Sequence, residues 1–230
     1  MSALPPVQLA EHRPPAVEEI TGYLREAVSF GDLAAGTPLR QEEIAELFGV
    51  SHIPVREAFK ILLGEGLLEQ QRNRGVLVAR MSASYALELT EYRALLEERL
   101  MLWAVPNLET RDIKAGRACL DELDLAESAK ERLKLAAEFH TLIYRKADRP
   151  FFLSALQSAR NNLNRYWRLI WEQETYIPRS QSEHHVILAA CEAGDAQKAA
   201  KEVGKHIRAS GEQVQQFFRD PGGLAIPQGR

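Results

Sequence analysis

The sequence predicts a mainly α protein: an N-terminal winged helix-turn-helix of three helices and a two-stranded wing, followed by an all-α bundle of about six helices. Two observations predict it. Between residues 17 and 81, short amphipathic segments alternate with glycine turns and two β-rich runs. From about Ser82 onward, glycine and β-rich runs almost vanish, and long apolar repeats at helical spacing follow one another to residue 219. Residues 1–16, rich in proline, read as a flexible arm, and 220–230, beginning Asp-Pro-Gly-Gly, as a frayed tail.

The first helix is expected over Val17–Phe30, where Ile20, Leu24 and Val28 share one face at i, i+4 and i+8. Gly31-Asp32 ends it, and Gly36-Thr37-Pro38 supplies the connecting turn. A second short helix, Gln41–Phe48, runs through Gly49-Val50 into a third that opens at Ser51. Leu67–Gln70 and Val76–Ala79 read as two strands joined by the turn Arg72-Asn73-Arg74-Gly75. Helix, tight turn, helix and wing in that order place one helix in a major groove.

Composition bounds the partners. Hydrophobic residues at 45% and charged residues at 27% are ordinary for a globular chain, and no apolar run is long enough to span a membrane. The N-terminus lacks a basic segment followed by an apolar core, so it does not read as a secretion signal. Cys119 and Cys191 lie far apart without CxxC spacing and read as buried reduced thiols, which places the protein in the cytoplasm. The formal charge of −3 does not advertise a nucleic-acid binder, and residues 17–80 hold 7 Lys/Arg against 10 Asp/Glu. Within 51–80 the balance reverses, with five basic residues against three acidic. Positive charge therefore concentrates on the third helix and wing, where phosphates would lie, and a dimer is needed for useful affinity.

On the third helix Val55, Ala58, Phe59 and Leu62 fall within roughly a 100° arc and His52, Arg56 and Lys60 on a neighbouring one. The apolar set should pack inward and leave the basic set facing DNA. Ser51 is placed as the N-cap, and Pro54 costs little in the first turn. Arg56 has the fork to meet a guanine edge or a phosphate. Gly75 allows close backbone approach to the minor groove, with Arg74 beside it.

These residues carry a resemblance. Gly36-x-Pro38-Leu39, Glu43-x-Ala45-Glu46-x-Phe48-Gly49-Val50-Ser51, Pro54-Val55-Arg56-Glu57-Ala58 and Glu65-Gly66-Leu67 before Asn73-Arg74-Gly75 resemble the winged helix of GntR-family transcription regulators. One departure is His52, where the family usually has arginine, which implies an altered operator preference or weaker binding at alkaline pH.

In the helical region His140, His184 and His206 each sit on a different predicted helix among apolar neighbours. Singly they read as core residues; together they can converge on a divalent metal such as Zn²⁺, Ni²⁺ or Mn²⁺. Residues 83–219 resemble the ligand-binding domain of the FadR subfamily, the FCD domain. There, three histidines and one Asp often hold a metal that helps bind a small carboxylate effector. The three histidines match, but the Asp position is Ala136. Glu138 cannot stand in, because two residues along a helix is about 200° around its axis. The resemblance also assigns effector binding to Arg93, whose alternative is an intrahelical bridge to Glu97. Asn162, among the polar residues ahead of Tyr166-Trp167, is a further candidate for the cavity wall.

The expected function is a homodimeric transcription regulator, a repressor by its resemblance, on a palindromic double-stranded operator and controlled by a small organic acid. The chain is not expected to be an enzyme or to engage a membrane. Two alternatives are a regulator with a non-functional pocket and a three-histidine metal-dependent hydrolase. Against the latter, the sequence holds no G-x-S-x-G and no HExxH.

Overall fold

The computed structural model describes residues 15–72, 75–171 and 177–219. Backbone contacts divide the chain between Met81 and Ser82 into two compact units. The expected arm, Arg74 and the C-terminal tail lie outside the described residues, apart from Pro15 and Ala16 of the arm.

The first unit begins with α1 (Ala16–Ser29), which buries Ile20, Leu24 and Val28 on one side. A two-residue strand β1 (Pro38–Leu39) leads to α2 (Gln41–Phe48). Gly49 ends α2 in the left-handed conformation, with φ of 63°, a turn that side-chain-bearing residues rarely make. Helix α3 (His52–Gly64) follows and buries Val55, Ala58, Phe59 and Leu62 against α1 and α2. Arg25 of α1 clamps Glu65, just past α3, through two charge-assisted hydrogen bonds of 2.8 and 2.5 Å.

The wing is β2 (Leu68–Gln71) and β3 (Gly75–Val78), each shifted by one residue from the sequence expectation. It is also not two-stranded. Strand β1 pairs with the other edge of β3, giving an antiparallel sheet of order β1-β3-β2. Pro38 is tolerated because it sits on an edge strand, where no ladder donor is required of it. The Gly36 N–H donates to Val78 O and the Val78 N–H to Thr37 O, which anchors the connecting turn to the sheet.

Among the described residues the second unit is a bundle of six helices: α4 (Ala83–Ala104), α5 (Thr110–Leu125), α6 (Ala129–Tyr144), α7 (Pro150–Trp171), α8 (Ile177–Glu192) and α9 (Ala196–Arg219). Short 3₁₀ turns at Val105–Asn107 and Arg145–Ala147 carry α4 toward α5 and α6 toward α7. Phe139, Tyr144, Leu100, Met101, Leu120 and Leu123 fill the interior. Helices α4 and α9 share the most extensive packing, made possible by glycines on α9. A Cβ on Gly204 would run into the Glu98 carboxylate, and one on Gly211 would meet Thr90 Cγ2 at 2.5 Å. Cys119 and Cys191 are free and buried, and burial pushes their thiols up to about 11 and about 12.

Asp112 shows how the corners are held. Its carboxylate accepts the Glu109 N–H as half of a reciprocal capping box and receives Arg145 and Lys146 from the far end of α6. Burial opposes ionisation there, but these donors outweigh it and bring the carboxyl down from 3.8 to about 2. A lowered folded-state value stabilises above the unfolded pKa and is lost as pH falls through the folded one. The shift alone corresponds to roughly 2.5 kcal/mol, but Arg145 is half exposed, and solvent screening reduces this to about 1 kcal/mol. Asp112→Ala is therefore expected to cost about that much at pH 7 in a denaturant titration. The difference from wild type should vanish between pH 3.8 and about 2.

Candidate functional site

Two places concentrate the candidate residues, one in each unit. In the first, His52, Arg56 and Lys60 project from α3 into solvent, one per turn, because the opposite arc is committed to the core. Glu57 lies between the two cations, 2.9 Å from Lys60 Nζ and 4.0 Å from Arg56 Nε, and these pairs hold its carboxyl below the usual range. Pro54 is half-buried in the first turn, and Gly75 opens β3 with φ of 76°.

Ser51 occupies the N-cap position with extended backbone, but its hydroxyl makes no capping hydrogen bond. Pro54 contributes to this. A capping oxygen accepts from the N–H of the second or third helical residue, and the third here has none to give, which leaves only Ile53 as a donor. The Ser51 side chain thus stays on the exposed surface beside His52. The sequence reading also passed over Ile53 and Ile61, which are 65% and 43% exposed. They flank the basic row with apolar surface of the kind that meets a thymine methyl.

In the second unit, α4, α6, α7, α8 and α9 line a partly open chamber with room for roughly four to six waters. His140, His184 and His206 line it, with ring centroids 4.5 to 5.3 Å apart and facing nitrogens within 4.8 Å of one another. Their hydrogen bonds orient two of the rings. The Tyr144 hydroxyl donates to Glu97 Oε2 at 2.6 Å, so its oxygen accepts from His140 Nδ1–H at 3.1 Å. His206 Nδ1–H donates to the Glu183 carboxylate at 2.9 Å. His140 therefore turns a bare Nε2 lone pair inward, and His206 turns its Nε2 toward the same space. His184 Nε2 lies 3.3 Å from His140 Nε2, and its own Nδ1 is buried with no hydrogen-bond partner among the described residues. Burial first, then neighbouring cationic groups, hold His140 and His184 well below 6.5, so both stay neutral.

Beside the histidines sits a charge cluster. Glu97, fully buried, accepts from Arg93 Nε at 2.7 Å and from Tyr144, with Arg160 Nη2 3.9 Å away. Burial alone would raise its carboxyl, but Arg93 and Arg160 together with these hydrogen bonds bring it below the ordinary value. Arg93 makes the intrahelical bridge to Glu97, and its side chain also lines the chamber. Two buried guanidiniums share one carboxylate, leaving one positive charge unmatched within the cluster.

The polar residues of α7 divide differently from expectation. Asn162 is buried but does not line the chamber; its amide donates to Ser158 O. Asn164 lines it instead, one helical turn beyond Arg160 on the same face of α7. Ala136 does form part of the wall, so a methyl stands where the resemblance would have a carboxylate, and Glu138 is exposed on the far side of α6. Glu97, Tyr144, Arg160 and Glu183 were not singled out as site residues in their own right. Arg160 had a signal, since it interrupts the apolar row Leu156, Leu163, Trp167 at helical spacing.

Known proteins match both units. The model for bacterial regulatory proteins of the gntR family matches residues 16–78, and the FCD domain model matches residues 88–209. The chain belongs to the GntR family of bacterial transcription regulators, and its FCD domain fits the FadR subfamily. It is 26% identical over 201 residues to a probable D-xylose utilization operon transcriptional repressor of Paenarthrobacter nicotinovorans, covering 86% of this chain and 88% of that protein. It is 29% identical over 186 residues to the Nta operon transcriptional regulator of Aminobacter aminovorans, covering 80% and 87%. Escherichia coli McbR/YncC shares the fold with a TM-score of 0.78 at 20% identity, over 90% of this chain and all of that one. Family and relatives are transcription regulators rather than enzymes, so the three-histidine hydrolase reading has no support. Among the described residues no helix is long and apolar enough to cross a membrane.

Proposed function

We propose that this regulator is a cytoplasmic homodimeric repressor of a palindromic operator, released or engaged by a small carboxylate bound in the helical chamber. The observation that carries the chemical class of the effector is the unmatched positive charge of Arg93, Arg160 and Glu97 beside neutral imidazoles in a space the size of a small acid. A monoanion entering there pairs with a guanidinium already desolvated and aimed, so ordering costs little. Arg93 and Arg160 hold the acid, and Asn164 orients it.

The donor set also fits a divalent metal. The three ring nitrogens lie within 4.8 Å of one another, and the proton that a neutral His184 can share with His140 at 3.3 Å is one that a divalent cation could replace. His140, His184 and His206 would hold the ion, with Glu183 and Tyr144 fixing two of the rings; bound, it supplies a Lewis acid for an effector oxygen. Ala136 contributes no ligand, so positions are left for water or effector. On the DNA side, Arg56 and His52 read base edges, Ser51, Lys60 and Arg74 hold phosphates, Ile53 meets a thymine methyl, and Gly75 admits the backbone to the minor groove. The acid switches binding only if it prefers one arrangement of the dimer over the other.

Thermal unfolding of the protein with Zn²⁺, Ni²⁺ or Mn²⁺ alone, small carboxylates alone, and both, tests the chamber. A ligand at 100-fold its Kd should stabilise by about 2.7 kcal/mol. His184→Ala is expected to lower metal content and blunt the carboxylate response while sparing retention of the protein's own upstream DNA without effector. Absence of any shift across acids and metals would instead favour a regulator with a silent pocket.

A further inference from the structure

Helix α4 is apolar on two sides. One side, with Ala86, Ala94, Leu100, Met101 and Ala104, is buried in the bundle. The other carries Tyr85, Tyr92 and Leu95, which are 36%, 45% and 58% exposed, followed by Leu102, half-buried because it also packs on the edge of the bundle core. A helix that is apolar on its outer side as well normally has a second partner.

The spacing identifies that partner. Tyr85, Glu88, Tyr92, Leu95, Arg99 and Leu102 alternate by three and four residues, the seam of two helices wound side by side. In an antiparallel pair related by a two-fold axis, opposed residues have numbers of constant sum. Centring the axis between Arg93 and Ala94 sets Tyr92 against Leu95, Glu88 against Arg99 and Tyr85 against Leu102, each twice. Two apolar pairs lie at the middle, two opposite-charge pairs flank them and two apolar pairs close the ends, a seam about 26 Å long. Parallel in-register pairing would instead oppose Glu88 to Glu88 and Arg99 to Arg99. Neither Glu88 nor Arg99 has an ion-pair partner among the described residues; Arg99 only overlies the Trp103 ring, 5.8 Å from its centroid.

We infer that the outer face of α4 is the dimer seam, docking antiparallel on the same face of a second copy with Glu88 and Arg99 paired across it. The inference rests on the homodimer reading above and adds its location and register. It is testable by sedimentation equilibrium on the full chain, with circular dichroism to verify folding; the substituted side chains are exposed. Glu88→Lys and Arg99→Glu should each weaken the dimer at least about 10-fold, because each replaces two attractive pairs by repulsive ones. The two together should restore association to within a few-fold of wild type. Leu95→Glu, beside the axis, should give monomers that are still folded. A wild-type chain that is monomeric at all concentrations would overturn the homodimer reading itself. A wild-type dimer whose affinity is untouched by both reversals and by Leu95→Glu would overturn the seam while leaving the dimer standing.

Discussion

Glu97→Ala is expected to destabilise the helical unit by about 3–5 kcal/mol, the largest effect of any single substitution in the chamber. Glu97 is wholly buried and is the carboxylate shared by Arg93, Arg160 and Tyr144. Removing it strands two guanidiniums in low dielectric and leaves the Tyr144 hydroxyl without its acceptor. For a unit of this size the melting temperature should fall by roughly 10 °C or more. Glu97→Gln, which keeps the shape and an acceptor but not the charge, should fall between the two. The pH dependence has a definite sign: a carboxylate lowered in the folded state stabilises above its unfolded value near 4.5 and ceases to do so as pH drops through its folded value. The gap between wild type and Glu97→Ala should therefore narrow only in acid below about pH 4.5. A loss under about 1 kcal/mol at pH 7 would mean the cluster is not a closed electrostatic unit.

Arg56→Ala is expected to remove specific DNA binding while leaving the melting temperature unchanged. The side chain is 60% exposed, so the core does not depend on it. A guanidinium fork on a guanine edge discriminates by about 1–3 kcal/mol, and a two-fold dimer loses the contact in both half-sites, so affinity should drop about 30-fold or more. Fluorescence anisotropy on the upstream duplex and on a scrambled duplex, at several salt concentrations, separates the possible roles. A base contact loses its discrimination between the two duplexes. A phosphate contact weakens both alike and flattens the salt dependence by about one charge per arginine. Binding unaltered on both would remove α3 from the interface. Glu57, which holds Lys60 and approaches Arg56, competes with phosphate for these cations.

The exposed basic row of α3 was largely legible in the chain. The outward row His52, Arg56, Lys60 follows from the inward set Val55, Ala58, Phe59, Leu62, because a short helix on a small core has only one way to bury those four. Strand β1 was not legible: two residues, one a proline, show no alternation, and only pairing with β3 makes them a strand. Ser51 took the cap position but not the bond, a conflict with Pro54 visible in the sequence once both are counted from the helix start. In the chamber, histidines on apolar helix faces marked themselves out. The partners that orient two of the rings did not. Glu97 and Tyr144 lie 47 residues apart, and His206 meets Glu183 from a neighbouring helix. Asn162 and Asn164 look equivalent in the sequence, yet only the latter shares the face of Arg160, and helical phase rather than residue type decides which wall each one joins.

The bare backbone of α9 at Gly204 and Gly211 carries a mechanical consequence. There the α9 main chain lies against the Glu98 and Thr90 side chains of α4, so only one of the two helices offers rotamers to absorb a small push. Helices α4 and α9 are therefore splinted together, and α9 bears His206 on the same rod that α4 stiffens with Arg93 and Glu97. A shift of the His206 imidazole is therefore expected to be shared between the two helices rather than absorbed by α9 alone.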